Sequence, residues 1–257
     1  VNVGQASTHN ADLNASVQLQ MLWVEPGTFT MGSPTTETSR GTDETEHNVT
    51  LTKGFYLGKY EVTQAQYEAV MTGNTNSLSA TPSQWPNNPN RPVEKVSWAD
   101  AQIFLTRLNA QQSANIPAGW AYVLPTESQW EYACRAGTST TYSWGNDINA
   151  TIGSSDANYN VSGLGQTRDV GYYAANPLGF FDMHGNVWEW TAGWYQAAYP
   201  TGNPVVDPSG PASGSFRVRR GGSWGSDGTN LRSARRYSNT PNILASSIGF
   251  RVGFQKQ

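Results

Sequence analysis

Hydrophobic and polar positions follow two short periods along this chain, and neither lasts long. Val17, Leu19 and Met21 alternate with Gln18 and Gln20, so Val17–Val24 reads as a strand with one buried face. Pro26-Gly27 is a turn signal, and Thr28–Met31 is expected to return as the hairpin partner of that strand. Val49–Leu51, Phe55–Lys59 and Phe216–Arg220 predict further short strands. Three stretches instead carry helix starts. Thr63 to Gln66, Ser97 to Asp100 and Thr126 to Gln129 each set a hydroxyl three residues ahead of an acceptor-bearing side chain, the capping-box pattern. Helices follow at Gln64–Met71, from Ser97 onward, and at Ser128–Arg135. The second is the best defined, because Ala101, Phe104, Leu105 and Leu108 fall on one face.

Between these elements the pattern breaks down. Val1 to Ser16 is small, polar and aperiodic, and is expected to be a mobile leader, with residues 17–257 forming a single domain. Thr35 to Asn48 carries Glu37, Asp43, Glu44 and Glu46 and reads as solvated surface. Thr72–Pro92 and Tyr195–Ser215 are Pro-bearing loops, and Gly137–Asn176 is irregular. An aperiodic segment of that length inside a compact domain is either functional or tied by something other than a strand ladder. A bound cation is one such tie.

The stretch that organises the rest is Gly179 to Tyr195, GFFDMHGNVWEWTAGWY, which holds six aromatic residues and two carboxylates. Gly185-Asn186 marks a turn, since both residue types tolerate positive φ, and an extended piece should follow at Val187–Thr191. Asp182 and Glu189 lie seven residues apart within it. A non-helical loop offering carboxylates and backbone carbonyls suits a hard cation such as calcium, which takes six to eight oxygens. The same two acids could instead pair with arginines or cap backbone amides.

Composition narrows the class. The 257 residues include 26 Gly, 14 Pro, 10 Trp and 12 Tyr, with only 14% charged, which describes a loop-rich α+β globule with aromatic packing. A formal net charge of −3 gives no reason to expect nucleic-acid binding, and no apolar run is long enough to cross a membrane. The single cysteine, Cys134, excludes an intrachain disulfide and reads as a small buried residue on the third helix. Few lysines and many Thr, Asn, Ser and Gln lean toward an extracellular, cell-surface or periplasmic protein.

LGFFDMHGNVWEW, together with VRRGGSW (Val218–Trp224) and IGFRVGF (Ile248–Phe254), resembles the signature of the formylglycine-generating-enzyme, or sulfatase-modifying-factor, family. WVEPGTFTMGSP (Trp23–Pro34), YEVTQAQY (Tyr60–Tyr67) and LPTESQWEYACRAG (Leu124–Gly137) fit the same family in the same order. The resemblance implies a C-type-lectin-like fold, loop-rich, with short strands and a few short helices. It also implies a copper-dependent oxidation of a target cysteine, carried by two cysteines just after the Gly-Gly-Ser motif. Here no cysteine occurs from Trp224 to Arg236, and Ser226 stands at the first of the two positions. A hydroxyl does not replace a thiolate as a ligand of Cu(I). The related iron enzymes need three clustered histidines, whereas His9, His47 and His184 are scattered; His184 reads as a hydrogen-bonded structural residue. No copper or iron is therefore expected.

The resemblance does carry calcium. It assigns a first site to the side chains of Asp182 and Glu189 and the carbonyls of Gly185 and Val187. A second, possible site falls on Asn158 and the carbonyl of Tyr159, with Ser162 nearest to its missing acid. Trp188, Ser223 and Ser226 would line the family's cleft, and Trp224 and Arg232 would join them in contacting a ligand. Ser223 reads most simply as a hydroxyl bonded to backbone in a tight Gly-Gly turn. Arg217, Arg219, Arg220, Arg232, Arg235, Arg236 and Arg251 could form a phosphate- or sulfate-binding patch or brace acids elsewhere in the fold. The function expected is a calcium-stabilised binding or structural module, a pseudoenzyme for a peptide, glycan or protein ligand. The alternatives are an enzyme using the same cleft with different residues and a self-assembling subunit of a surface structure or filament.

Overall fold

A computed structural model describes residues 7–146, 156–200 and 202–257. In chain order its elements are β1 (Thr8–Asp12), β2 (Gln18–Val24), β3 (Gly27–Met31), β4 (His47–Leu51), β5 (Phe55–Gly58), α1 (Gln64–Met71) and α2 (Trp98–Gln111). There follow β6 (Trp120–Val123), α3 (Glu127–Arg135), β7 (Trp188–Trp194), β8 (Val205–Val206), β9 (Arg217–Arg220), β10 (Tyr237–Asn239), β11 (Ile248–Phe250) and β12 (Gly253–Lys256). This is the expected loop-rich α+β chain of short strands and a few short helices.

All three helices begin as the sequence dictates. Thr63, Ser97 and Thr126 accept from the amides of Gln66, Asp100 and Gln129, whose side chains accept from the cap amides in return. Each box satisfies two amides that a helix start leaves without partners. The helices then bury one face. Tyr67 of α1 stacks on Phe104 of α2 at 5.5 Å, and Phe250 of β11 packs edge-on against Phe104 at 5.2 Å. A second apolar cluster joins Val49, Phe55 and Leu57 to Trp130 and Ala133 of α3 and to Phe180 and Met183 of the central stretch.

The strands form three sheets: β1-β2-β5-β12-β6, β10-β9-β7-β11 and β3-β4-β8. β7 sits inside the second sheet, antiparallel to β9 and parallel to β11, so the chain's last motif locks onto its central one.

Three expectations are corrected. Thr8–Asp12 does not belong to a mobile leader: it is an edge strand paired with β2, with Ala11 opposite Leu19 and His9 opposite Met21. Edge strands need little apolar content, because backbone hydrogen bonds and one buried side-chain row suffice. Here His9 stacks on Phe254 at 4.5 Å and bonds to the Tyr122 hydroxyl. Residues 1–6 lie outside the described residues. Second, β3 does not return on β2. Both edges of β2 are taken by β1 and β5, so β3 crosses to pair with β4. Third, the acidic excursion is not solvated throughout. Glu44 is fully buried and, with Glu37, meets the Arg232 guanidinium. Part of the irregular Gly137–Asn176 stretch, residues 147–155, lies outside the described residues.

Candidate functional site

The turn at Gly185-Asn186 forms as read: Gly185 has φ +100° and Asn186 φ +60°. Gly185 is required twice over. Its φ disfavours any side chain, and a Cβ there would stand 2.4 Å from the Asn158 carbonyl. Asn186 ties the turn to its surroundings. Its amide donates to the Asn158 carbonyl, and its side-chain carbonyl accepts from the Arg168 amide.

Both acids of the turn are buried, and each has a protein partner. Glu189, at the start of β7, accepts from the Trp130 indole at 2.7 Å and from Arg251 Nη2 at 2.8 Å, with Arg251 Nε bridging both carboxylate oxygens. Asp182, with φ +57°, accepts from the Gly171 amide at 2.7 Å. Arginine pairing and amide capping are therefore both present. Each oxygen of Glu189, expected either as a calcium ligand or as an arginine partner, accepts two N–H groups in this structure.

A third carboxylate was not singled out from the sequence. Glu61, just after β5, accepts from the Val187 amide at 3.0 Å and from the Asn186 side chain at 2.6 Å. Its only sequence signal was its place in the YEVTQAQY motif. Burial, reinforced by Asp182 and Glu189, pushes its carboxyl well above the usual carboxylate range despite Arg251. Burial likewise raises Asp182 to about 6, against the pull of the Gly171 amide and Arg251. Glu61, Asp182 and Glu189 thus share one buried guanidinium, Arg251. Uncompensated buried carboxylate is costly, and a cation relieves it. Among the described residues no three His, Cys, Asp or Glu side chains converge to hold a metal by themselves. A cation at this turn therefore has to draw on backbone carbonyls as well, which is how calcium binds.

Asn158 and Tyr159, expected to serve a possible second calcium site, are brought together by Ser162. The Ser162 hydroxyl lies 2.8 Å from Asn158 Oδ1 and 2.7 Å from the Tyr159 carbonyl. The carbonyl of Tyr159 also accepts from the Ser162 amide. Ser162, placed nearest the missing acid by sequence, thus sets its one hydroxyl proton between these two oxygens.

His184 is the structural residue expected. Its Nδ1 donates to the Leu231 carbonyl at 2.6 Å, leaving Nε2 to accept from the Ser143 amide. Burial lowers it to about 4, so it stays neutral. Cys134 is buried beside it, its thiol pushed up to about 12 by burial.

Among the residues expected to line a cleft, Ser223 is buried and its hydroxyl lies 3.0 Å from that of Ser226, which also accepts from the Ser223 amide. The partner is thus a second hydroxyl rather than backbone. Trp224 donates to the Ser246 carbonyl and meets Trp85 edge-on at 5.4 Å. Trp188 is buried, with Tyr237 against it at 5.6 Å and the Arg219 guanidinium 4.8 Å from its ring. Arg232 does not join this group. All of its donor nitrogens are engaged by Glu37, Glu44 and the carbonyls of Ser39 and Thr229, so it braces the acidic excursion. Arg220 with Glu131, Arg236 with Glu127 and Arg251 with Glu189 follow the same bracing pattern.

Residues 8–255 match the Sulfatase-modifying factor enzyme 1-like domain. The formylglycine-generating enzyme of Streptomyces coelicolor is 37% identical over 179 residues, covering 63% of this chain and 52% of that one. The formylglycine-generating enzyme of Mus musculus is 30% identical over 291 residues, covering 90% of this chain and 74% of the mouse enzyme. The chain thus spans about half of the first relative and about three quarters of the second. Among solved structures, variable protein 1 of Treponema denticola superposes with a TM-score of 0.82 at 25% identity, over 97% of this chain and 99% of its own. PvdO from Pseudomonas aeruginosa gives 0.84 at 25% identity, over 98% and 100%.

Proposed function

The chain belongs to the sulfatase-modifying factor enzyme 1-like family, and we propose that this member is a calcium-tied recognition module acting outside the cytoplasm. The observation that carries this reading is a cluster of aromatic and arginine side chains at β10 and its neighbours. Tyr237, 43% exposed on edge strand β10, stands beside Trp188 and Arg219, and half-buried Trp224 meets half-buried Trp85 and donates to the Ser246 carbonyl. Trp, Tyr and Arg are the residues that anchor protein interfaces, since they offer large contact area with a polar handle. The position that would need a thiol for oxidation holds Ser226, hydrogen-bonded to Ser223, and the chain's one cysteine is buried on α3. Similarity to a protein named as variable agrees with recognition, which asks for exchangeable surface on a fixed frame.

Calcium is the tie we assign to that frame. Asp182 and the carbonyls of Gly185 and Val187 supply donor oxygens, while Glu61 and Glu189 balance the charge beside Arg251. Bound calcium would lend the turn a fixed shape and cross-link residues distant in sequence. Extracellular calcium modules bind with dissociation constants of about 10⁻⁴–10⁻³ M, in keeping with a protein acting outside the cytoplasm.

The test is capture from the protein's own surroundings, in calcium, with the wild type and a Trp224→Ser/Tyr237→Ser variant as parallel baits. A partner held by the wild type and released by the variant is expected. Equal capture by both, or copper or iron retained at one per chain after purification, would overturn the recognition reading.

A further inference from the structure

The arginines of β9 and of the segment after it divide into two groups. Arg220, Arg232 and Arg236 each meet a buried carboxylate. Arg217 and Arg219 meet none among the described residues. Arg217 is held between the rings of Trp98 and Trp194, at 3.6 and 3.5 Å, and donates to the Ala192 carbonyl. Arg219 has only ring faces: Trp188 at 4.8 Å and Tyr237 at 4.5 Å. The Nε atoms of both arginines are buried without a hydrogen-bond partner. Burial brings Arg219 down to about 10, the mark of a cation short of counter-charge.

Register gathers a third unpartnered atom beside them. On the face where β9 presents Arg217 and Arg219, β10 sets Tyr237 opposite Arg219 and Asn239 opposite Arg217. The side-chain carbonyl of Asn239 is also buried and unbonded. One patch of an edge strand and its neighbour therefore lacks an acceptor for guanidinium N–H groups and a donor for an amide oxygen. Those three atoms are closed off from an arriving partner, but the Nη atoms of half-buried Arg219 are not, and they make no hydrogen bond among the described residues, so the guanidinium presents open donors without an acceptor.

We propose that Arg219 anchors an acidic segment of a protein partner, its carboxylate set against the Nη side of the guanidinium. The proposal rests on the recognition reading above and names the chemistry of its ligand. A carboxylate accepts from a guanidinium fork, and Trp188 and Tyr237 offer apolar contact to neighbouring side chains. A sulfated polysaccharide fits less well. It needs a broad positive field, whereas this chain has a net charge of −3 and spends its nearby arginines on internal carboxylates.

The test pans a displayed library of random peptides on the calcium-loaded wild-type chain, then measures synthetic copies of the selected peptides against the wild type, Arg219→Met and Arg219→Lys. Enrichment of Asp or Glu next to an apolar residue is expected. Affinity should fall about tenfold or more in Arg219→Met, with Arg219→Lys between, as loss of one charge-assisted contact demands. Exchanging the peptide's Asp for Asn reads the same contact without touching the fold. Peptides without acids, or bound equally by Arg219→Met, would overturn the role of Arg219 and leave the recognition reading standing. Selection of no peptide would overturn the acidic-segment proposal, while the recognition reading stands or falls by the capture experiment above. Retention on immobilised heparin that Arg219→Met abolishes would replace the peptide with a sulfated polysaccharide.

Discussion

Arg251 closes on Glu189 from 62 residues away, with Nη2 2.8 Å from one carboxylate oxygen and Nε shared between the two. Both side chains are buried, and the Arg251 guanidinium also donates to the carbonyls of Gly58 and Phe181. The pair thus joins the last motif of the chain, the central stretch and the end of β5. Removing one partner of such a pair strands the other, which costs about 3–5 kcal/mol. Arg251→Met should lose that much in urea unfolding. Trp130→Leu, which also removes buried aromatic volume, would not separate the effects, so the comparison is Trp130→Phe. It deletes chiefly the indole donor to Glu189 and should cost about 1.5–3 kcal/mol. Equal losses from Arg251→Met and Trp130→Phe would contradict this ranking.

Calcium bound only to the folded chain stabilises it by mass action, by about 2.7 kcal/mol when free calcium is a hundred times the dissociation constant. A chelator should therefore lower Tm by several degrees, and added calcium should restore it. Asp182→Asn should shrink the response. An unchanged melt with and without chelator would remove calcium from the account of this frame.

Glu94 sets a pH dependence. It is buried, with Oε1 accepting from the amides of Gln84 and Trp85 and Oε2 unpartnered. Burial raises it from the ordinary 4.5 to about 7, outweighing those two amides. The folded state then keeps a proton that the unfolded chain has released, so this contribution is complete below pH 4.5 and lost as pH rises through 7. Tm should decline across that window, and Glu94→Gln should flatten the decline. A Glu94→Gln profile parallel to the wild type would show that other groups set it.

Oxidation of a cysteine-containing sulfatase peptide is expected to fail even with copper supplied. Ser226→Cys alone should not restore it, since a lone thiolate does not complete the pair that grips Cu(I). Aldehyde detected by mass spectrometry in the wild-type reaction would place catalysis on other residues of the cleft.

What could be read from the chain was local. The three capping boxes formed as written because each is closed by hydrogen bonds between residues three apart, within reach of any chain that starts a helix there. Gly185-Asn186 turned because those residue types tolerate positive φ. Cys134 and His184 went to buried structural places, as a lone thiol and a lone imidazole usually do. The motifs were legible for the same reason, since they are contiguous and carry the family with them.

Pairing at long range was decided by the tertiary structure. Alternation told Val17–Val24 that it was a strand but not that β1 and β5 would occupy its edges and send β3 elsewhere. Charge pattern could not say that Glu44 would be buried against Arg232, 188 residues on, or that Glu61 would reach the amide of Val187, 126 residues on. Nor could it separate Arg219, left with ring faces alone, from Arg220 beside it on the opposite face of the strand. A side chain's identity determines what it can bond to. Which partner it meets depends on how sheets stack and strands register, and in this chain that choice divided the arginines that brace the frame from those left facing outward.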